Sequence, residues 1–149
     1  MAISTTMRKR MGKPMESRRF EVEKGAIRRF AMAIGDTSPI HHDEEAALAR
    51  GYPGIIAPIT FPASLQYFES ALEELEINGN AIMHAEEEYE YFKPIYAGDI
   101  VEVTHTLVDA YEKQAPNGQL VFVVLETRAV DRKSKPVFKG RRVLVEFKK

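Results

Sequence analysis

The apolar positions of this chain change period once, from helical spacing in the first half to strand alternation in the second. Ala26, Ile27, Phe30, Ala31 and Ile34 fall at i, i+1, i+4, i+5 and i+8, the stripe of an amphipathic helix, and Gly35 behind them is a natural stop. Just upstream, Phe20 and Val22 alternate with Arg19, Glu21 and Glu23, which predicts a short half-buried strand. Residues 44–50 predict a second, short helix with Asp43 as its N-cap, Glu44 and Glu45 against its dipole, and Gly51 ending it. Phe61, Leu65, Phe68, Leu72 and Leu75 then repeat at spacings of four and three. That repeat predicts the longest helix of the chain, capped by Thr60 and closed near Asn78-Gly79. Residues 51–62 hold two glycines and three prolines around Ile55, Ile56 and Ile59, too interrupted for a regular element and too apolar for a solvated loop. A buried, ordered loop is the expectation.

Past Gly79, residues 81–92, 100–111, 120–130 and 137–147 read as four strands rich in Val, Tyr, Phe and Thr. The turns between them (94–99, Pro116-Asn117-Gly118 and 131–136) are too short for helical crossovers, so the strands pair antiparallel. Five strands and one long helix make an α+β layer fold. One helix covers only one face of a sheet and leaves its edges open, so pairing with another copy, a homodimer, is the economical solution.

A length of 149 residues suits one domain, expected over 12–149 behind a flexible basic leader, 1–11. The net charge of -1 gives no field for nucleic acid, and the absence of cysteine removes disulfides, thiolate nucleophiles and Cys-based zinc sites. Arg8, Lys9, Arg10, Lys13, Arg18 and Arg19 precede no apolar signal core, and no run of 18 apolar residues could span a membrane. A cytoplasmic protein without membrane or nucleic-acid partners is the expectation. Any catalysis must use His, carboxylates or hydroxyls.

The residues best suited to such chemistry are Asp36 and His41, five apart in Ile-Gly-Asp-Thr-Ser-Pro-Ile-His, on a Pro-stiffened turn directly after the first helix. A carboxylate and an imidazole held this way can grip one water and move its protons. His42, next to His41 in a segment read as extended, is expected to face solvent. His41, His42 and Asp43 lack the spacing of a metal site, and neither metal nor cofactor is expected.

Residues 30–41, Phe-Ala-Met-Ala-Ile-Gly-Asp-Thr-Ser-Pro-Ile-His, resemble the signature of the MaoC-like, (R)-specific enoyl-thioester hydratases of the hotdog fold. Residues 51–61, Gly-Tyr-Pro-Gly-Ile-Ile-Ala-Pro-Ile-Thr-Phe, and 90–99, Glu-Tyr-Phe-Lys-Pro-Ile-Tyr-Ala-Gly-Asp, resemble the N-terminal, fatty-acid-synthase-type dehydratase subgroup. The resemblance implies a curved antiparallel sheet wrapped around a central helix, dimerising edge to edge. It implies that Asp36 and His41 add water to the β-carbon of a 2-enoyl thioester of CoA or acyl-carrier protein, or remove it. Attack at that carbon needs donors for the developing enolate oxygen, and the backbone of Ile59, Thr60 and Phe61, at a helix N-terminus, is the expected supplier.

Two positions depart from the family pattern. Ser38 stands where the motif has Asn and is expected to support the turn by a similar hydrogen bond. Ala57-Pro58 replaces a His-Gly pair, and since proline has no N–H, a neighbouring amide must serve as donor. Members with this Ala-Pro loop often lack the catalytic pair and act as acyl-binding subunits of a heterodimer, which is the first alternative; here both Asp36 and His41 are present. A hotdog thioesterase is the second, with Glu69 as the available carboxylate.

Elsewhere, His84 and His105 read as structural, Glu86, Glu87 and Glu88 as a charged outer face, and Tyr89, Tyr91 and Phe92 as core or interface. Lys139, Arg141 and Arg142 read as charges guarding an open strand edge.

Overall fold

The computed structural model describes residues 3–149. Its frame is one five-stranded sheet of β1 (Arg18–Glu21), β2 (Ile82–Tyr91), β3 (Ile100–Ala115), β4 (Gly118–Val130) and β5 (Pro136–Lys148), in the order β1-β3-β4-β5-β2, with every neighbour antiparallel. Alternation explains the strands. Val101, Val103, His105 and Leu107 of β3 are buried while the residues between them are only half-buried, so one face of the sheet is turned to the core.

The hairpin at Pro116-Asn117 joins β3 to β4 with Ala115 opposite Gly118. A Cβ at Gly118 would lie 2.2 Å from the Lys148 carbonyl oxygen, so β4 and the chain's last strand approach here only because the residue is glycine.

Helices α1 (Thr5–Arg10), α2 (Lys24–Ala33), α3 (Glu44–Ala49) and α4 (Phe68–Glu74) and the loop 51–60 supply the rest of the molecule. Two apolar clusters result. One joins Val22, Ile27, Ile55, Phe61, Val101 and Phe138; the other joins Met7, Leu72, Leu75, Leu107, Val123 and Leu125. The Asp43 side chain accepts from the Glu45 amide and caps α3, as its sequence predicts. Among the described residues no helix is long and apolar enough to cross a membrane.

Three expectations are corrected. The leader is not flexible throughout: residues 5–10 form α1, capped by the Ser4 side chain, and Met7 is fully buried in the second cluster, so an apolar anchor outweighs its basic neighbours; residues 1 and 2 lie outside the described residues.

The long helix from Phe61 is interrupted. A 3-10 turn at Phe61–Ser64 is followed by non-helical residues and then by the seven residues of α4, so α2, with ten, is the longest helix. Side chains compete for the carbonyls an α-helix would need: the Ser64 hydroxyl donates to Phe61 O (2.8 Å) and the Gln66 amide to Pro62 O (3.2 Å). Tyr67 is drawn aside as well, its hydroxyl donating to Glu16 O (2.7 Å) and accepting from the His105 amide.

Lys139, Arg141 and Arg142 do not guard an edge. They sit on β5 between β4 and β2, where they pair with Glu126, Glu86 and Glu87.

Candidate active site

The turn carrying Asp36 and His41 is built by the end of α2. Gly35 takes a φ of +72°, which reverses the chain, and the Asp36 amide returns to donate to Ala31 O at 2.8 Å. One Asp36 oxygen, Oδ1, accepts from the Ser38 amide at 3.0 Å, closing a tight Asx turn. Ser38 therefore supports the turn through its backbone N–H, and its hydroxyl makes no cap bond. Residues Pro39–His41 then form a 3-10 turn with proline at its start.

That geometry brings the two expected residues together. His41 Nε2 lies 3.2 Å from Asp36 Oδ2, with the imidazole nearly buried and the carboxylate side chain 35% exposed. On the other side of the ring, Nδ1 is 2.7 Å from Ile56 O. A carbonyl only accepts, so Nδ1 carries a hydrogen, and Nε2 is the ring nitrogen turned to the carboxylate.

Sequence reasoning missed His42. Its Nε2 donates to Asp36 O at 2.8 Å, and its own carbonyl accepts from Arg28 Nε at 2.8 Å, so it closes the turn instead of facing solvent. The 3-10 winding of 39–41 makes opposite-side alternation inapplicable; a histidine six residues after an aspartate on a short turn is the signal that was there to find.

The loop 51–60 faces this pair. It is pinned to the segment after β2 by Ala57 N to Ile95 O (2.8 Å) and Ala97 N to Ile55 O (2.9 Å), and to the Asp36–His41 turn by Ile56 N to Ile40 O (3.3 Å). Between them opens a cavity of about 600 Å³ whose walls are mostly apolar, from Ile56, Pro58, Ile59, Phe92 and Ile95, with Asp36, His41, Tyr91 and Lys93 as its polar lining. The Tyr91 hydroxyl donates to Ile59 O. Tyr91 and Phe92, read as core or interface, are thus cavity walls, whereas Tyr89 packs on the first apolar cluster.

Of the three backbone groups expected to serve as donors, Phe61 N–H is committed to Pro58 O at 2.9 Å. The Ile59 and Thr60 amides have no partner among the described residues, and Ile59 is 73% exposed. Thr60 makes no side-chain cap bond. Glu69 lies in the first turn of α4 and lines a separate cleft of about 630 Å³ with Arg18, Gln66 and Glu73, away from Asp36 and His41.

The other titratable groups are structural in their surroundings. His105 is fully buried against the Tyr67 and Phe68 rings with Nδ1 2.8 Å from Thr127 Oγ1; desolvation, aided by the Arg142 charge, pushes its pKa down to about 4. Burial would raise the Glu87 carboxyl, yet hydrogen bonds from Arg142 and Tyr89 and the charges of Arg142 and His84 hold it below its usual value. His84 pairs with the same carboxylate at 2.7 Å. Among the described residues no group of three or more His, Asp or Glu could hold a metal ion.

Comparison with known proteins sets this geometry among relatives. The family model described as "FAS1-like, dehydratase domain region" matches residues 9–140. A UPF0336 protein of Saccharopolyspora erythraea is 35% identical over 131 residues, covering 85% of this chain and 81% of the relative. In structure the chain is similar to the ChsH1-ChsH2 complex from Mycobacterium tuberculosis (TM-score 0.76, 21% identity, 96% of this chain and 89% of that one). It is also similar to the HadBC 3R-hydroxyacyl-ACP dehydratase complex of the same organism (TM-score 0.72, 23% identity, 86% and 90%). A third likeness is to the (R)-hydratase from A. caviae involved in PHA biosynthesis (TM-score 0.69, 18% identity, 90% and 94%). At these identities the structural likenesses show the fold, a hotdog. Two of the three are heteromeric complexes.

Proposed function

Because the chain belongs to the FAS1-like dehydratase region family, we propose that it is an (R)-specific 2-enoyl-thioester hydratase, or 3-hydroxyacyl-thioester dehydratase, in which Asp36 and His41 activate a water. The observation that carries this reading is the 3.2 Å approach of Asp36 Oδ2 to His41 Nε2 on the wall of an apolar cavity. In this reading a water sits on the cavity side of the pair, within reach of both, and the ring in its neutral form takes a proton at Nε2 as the water oxygen attacks the β-carbon; Asp36 orients the water and faces the positive charge that develops on the ring. The thioester oxygen, becoming enolate-like, takes hydrogen bonds from the Ile59 or Thr60 amide, and the proton taken up at Nε2 is passed to the α-carbon as the enolate collapses, which restores the ring. Dehydration is the reverse. No group beyond the chain and a thioester of CoA or acyl-carrier protein is needed, and the reaction is assigned to the cytoplasm.

The test is purified protein with crotonyl-CoA, following loss of the conjugated enoyl absorbance and, separately, release of thiol. Hydration without thiol release is expected, and Asp36→Asn or His41→Gln should each lower kcat by about 10² to 10⁴. Variants with full activity would remove the site assignment. Thiol release would favour a thioesterase, a reading weakened by the separate location of Glu69. One observation favours the non-catalytic acyl-binding subunit: Pro58 supplies no N–H at the loop where the family has His-Gly. Hydration only after addition of a second subunit would establish that reading.

A further inference from the structure

Tyr91 reaches the loop 51–60 from the sheet. It is the last residue of β2 and stands opposite Phe138 of β5, and the amide that follows it donates to Val137 O at 2.9 Å, so its backbone belongs to the rigid part of the molecule. From there its hydroxyl donates to Ile59 O. Burial and the nearby Glu87 charge hold the phenol's pKa above its usual value, so it stays a donor.

The loop must supply a donor without Pro58, and its backbone bonds leave the Ile59 and Thr60 amides open among the described residues. A trans peptide sends its C=O and its N–H to opposite sides, so a bond to the one aims the other. Pro58 O accepts from Phe61 N at 2.9 Å, which turns the Ile59 N–H away from the 3-10 turn. Ile59 O accepts from Tyr91, which turns the Thr60 N–H away from that cavity wall. Ile59 lines the cavity, and Thr60 is not among its lining residues. Ile59 is thus tied on both flanks, by Phe61 before its amide and by Tyr91 after it. Its side chain is 73% exposed, so hydrogen bonds and not packing fix it.

We infer that the Ile59 N–H is the oxyanion donor of this site and that Tyr91 is its positioning residue, an assignment that rests on the hydratase reading above. Tyr91 acts through the backbone and not on the substrate. By holding the Ile59 carbonyl it sets the angle at which the amide meets the thioester oxygen, and a donor helps only if it is already aimed where charge develops. A side chain of the sheet thereby secures what Ala57-Pro58 leaves to the next amide along the loop.

The probe is para-dimethylaminocinnamoyl-CoA, a conjugated enoyl thioester whose absorbance moves to longer wavelength when its carbonyl oxygen accepts a hydrogen bond. Saturating wild type should shift it red. Replacing the Ile59 amide by an ester linkage, which removes the N–H, should abolish the shift; Tyr91→Phe, which keeps the ring, should lose most of it with Kd little changed. On crotonyl-CoA, Tyr91→Phe should lower kcat about tenfold with KM little changed. A full shift in either form overturns the inference, as does a Tyr91→Phe effect confined to Kd or KM, which would make the ring a wall and nothing more. Should the ester form not fold, Tyr91→Phe decides; should the probe not bind, the kinetics on crotonyl-CoA decide. A shift that Tyr91→Phe loses, in a protein that does not hydrate crotonyl-CoA, keeps the donor and overturns the hydratase reading. Hydration by a wild type that binds the probe without a shift overturns the donor alone, and a protein that neither binds the probe nor hydrates crotonyl-CoA overturns both.

Discussion

The hydrogen bond from His42 to the Asp36 carbonyl does for Asp36 what the Ile56 carbonyl does for the His41 ring: it holds the residue in place. Asp36 Oδ1 is held by the Ser38 amide, so the free oxygen can face His41 only while the peptide stays in place. His42→Ala should therefore lower kcat by about tenfold with KM little changed, and His42→Gln, which can still donate, should recover most of it. Steady-state kinetics on the two variants check this; a loss confined to KM would assign His42 to binding instead. The pair itself was legible in the sequence because its spacing and its Pro turn are local. His42 was not, because its partner is a backbone carbonyl, which no residue type announces.

Elements show the same division between what is local and what is not. The strands were read within a few residues because alternation survives folding, as in the buried positions of β3. The four-three repeat from Phe61 to Leu75 is genuinely helical in its burial, and Phe61, Leu65, Leu72 and Leu75 are all buried. Its continuity failed on Ser64 and Gln66, whose side chains take the carbonyls of the first turn. Replacing them by Ala and Leu should free those carbonyls and raise the helical signal in far-UV circular dichroism, whereas an unchanged spectrum would put the cause of the break in Tyr67. At α3, only six residues long, Asp43→Ala should cost about 1 kcal/mol in urea unfolding, since the cap satisfies the Glu45 amide.

For the molecule as a whole, His105 sets how stability responds to acid. Its folded pKa of about 4 lies below the 6.5 of the free side chain, so between these values the unfolded chain binds a proton that the folded chain refuses. Stability is full above pH 6.5 and falls with pH down to about 4. From pH 7 to 5 the contribution is about 2 kcal/mol, and His105→Gln should flatten that part of the urea-unfolding profile. An equally steep profile in the variant would assign the acid sensitivity to other groups.

Ile56 lines the cavity and its carbonyl anchors the His41 ring, so under the proposed reaction it would belong at once to the wall that an acyl chain presses on and to the support of the base. Fit and reactivity are therefore one mechanical quantity. A chain that wedges the loop outward slackens its hold on the ring, so a tail too long by a few methylenes should still enter and yet turn over slowly. Along a series of enoyl-CoA substrates the penalty should fall on kcat before it falls on KM, as if the pocket measured its cargo with the base itself.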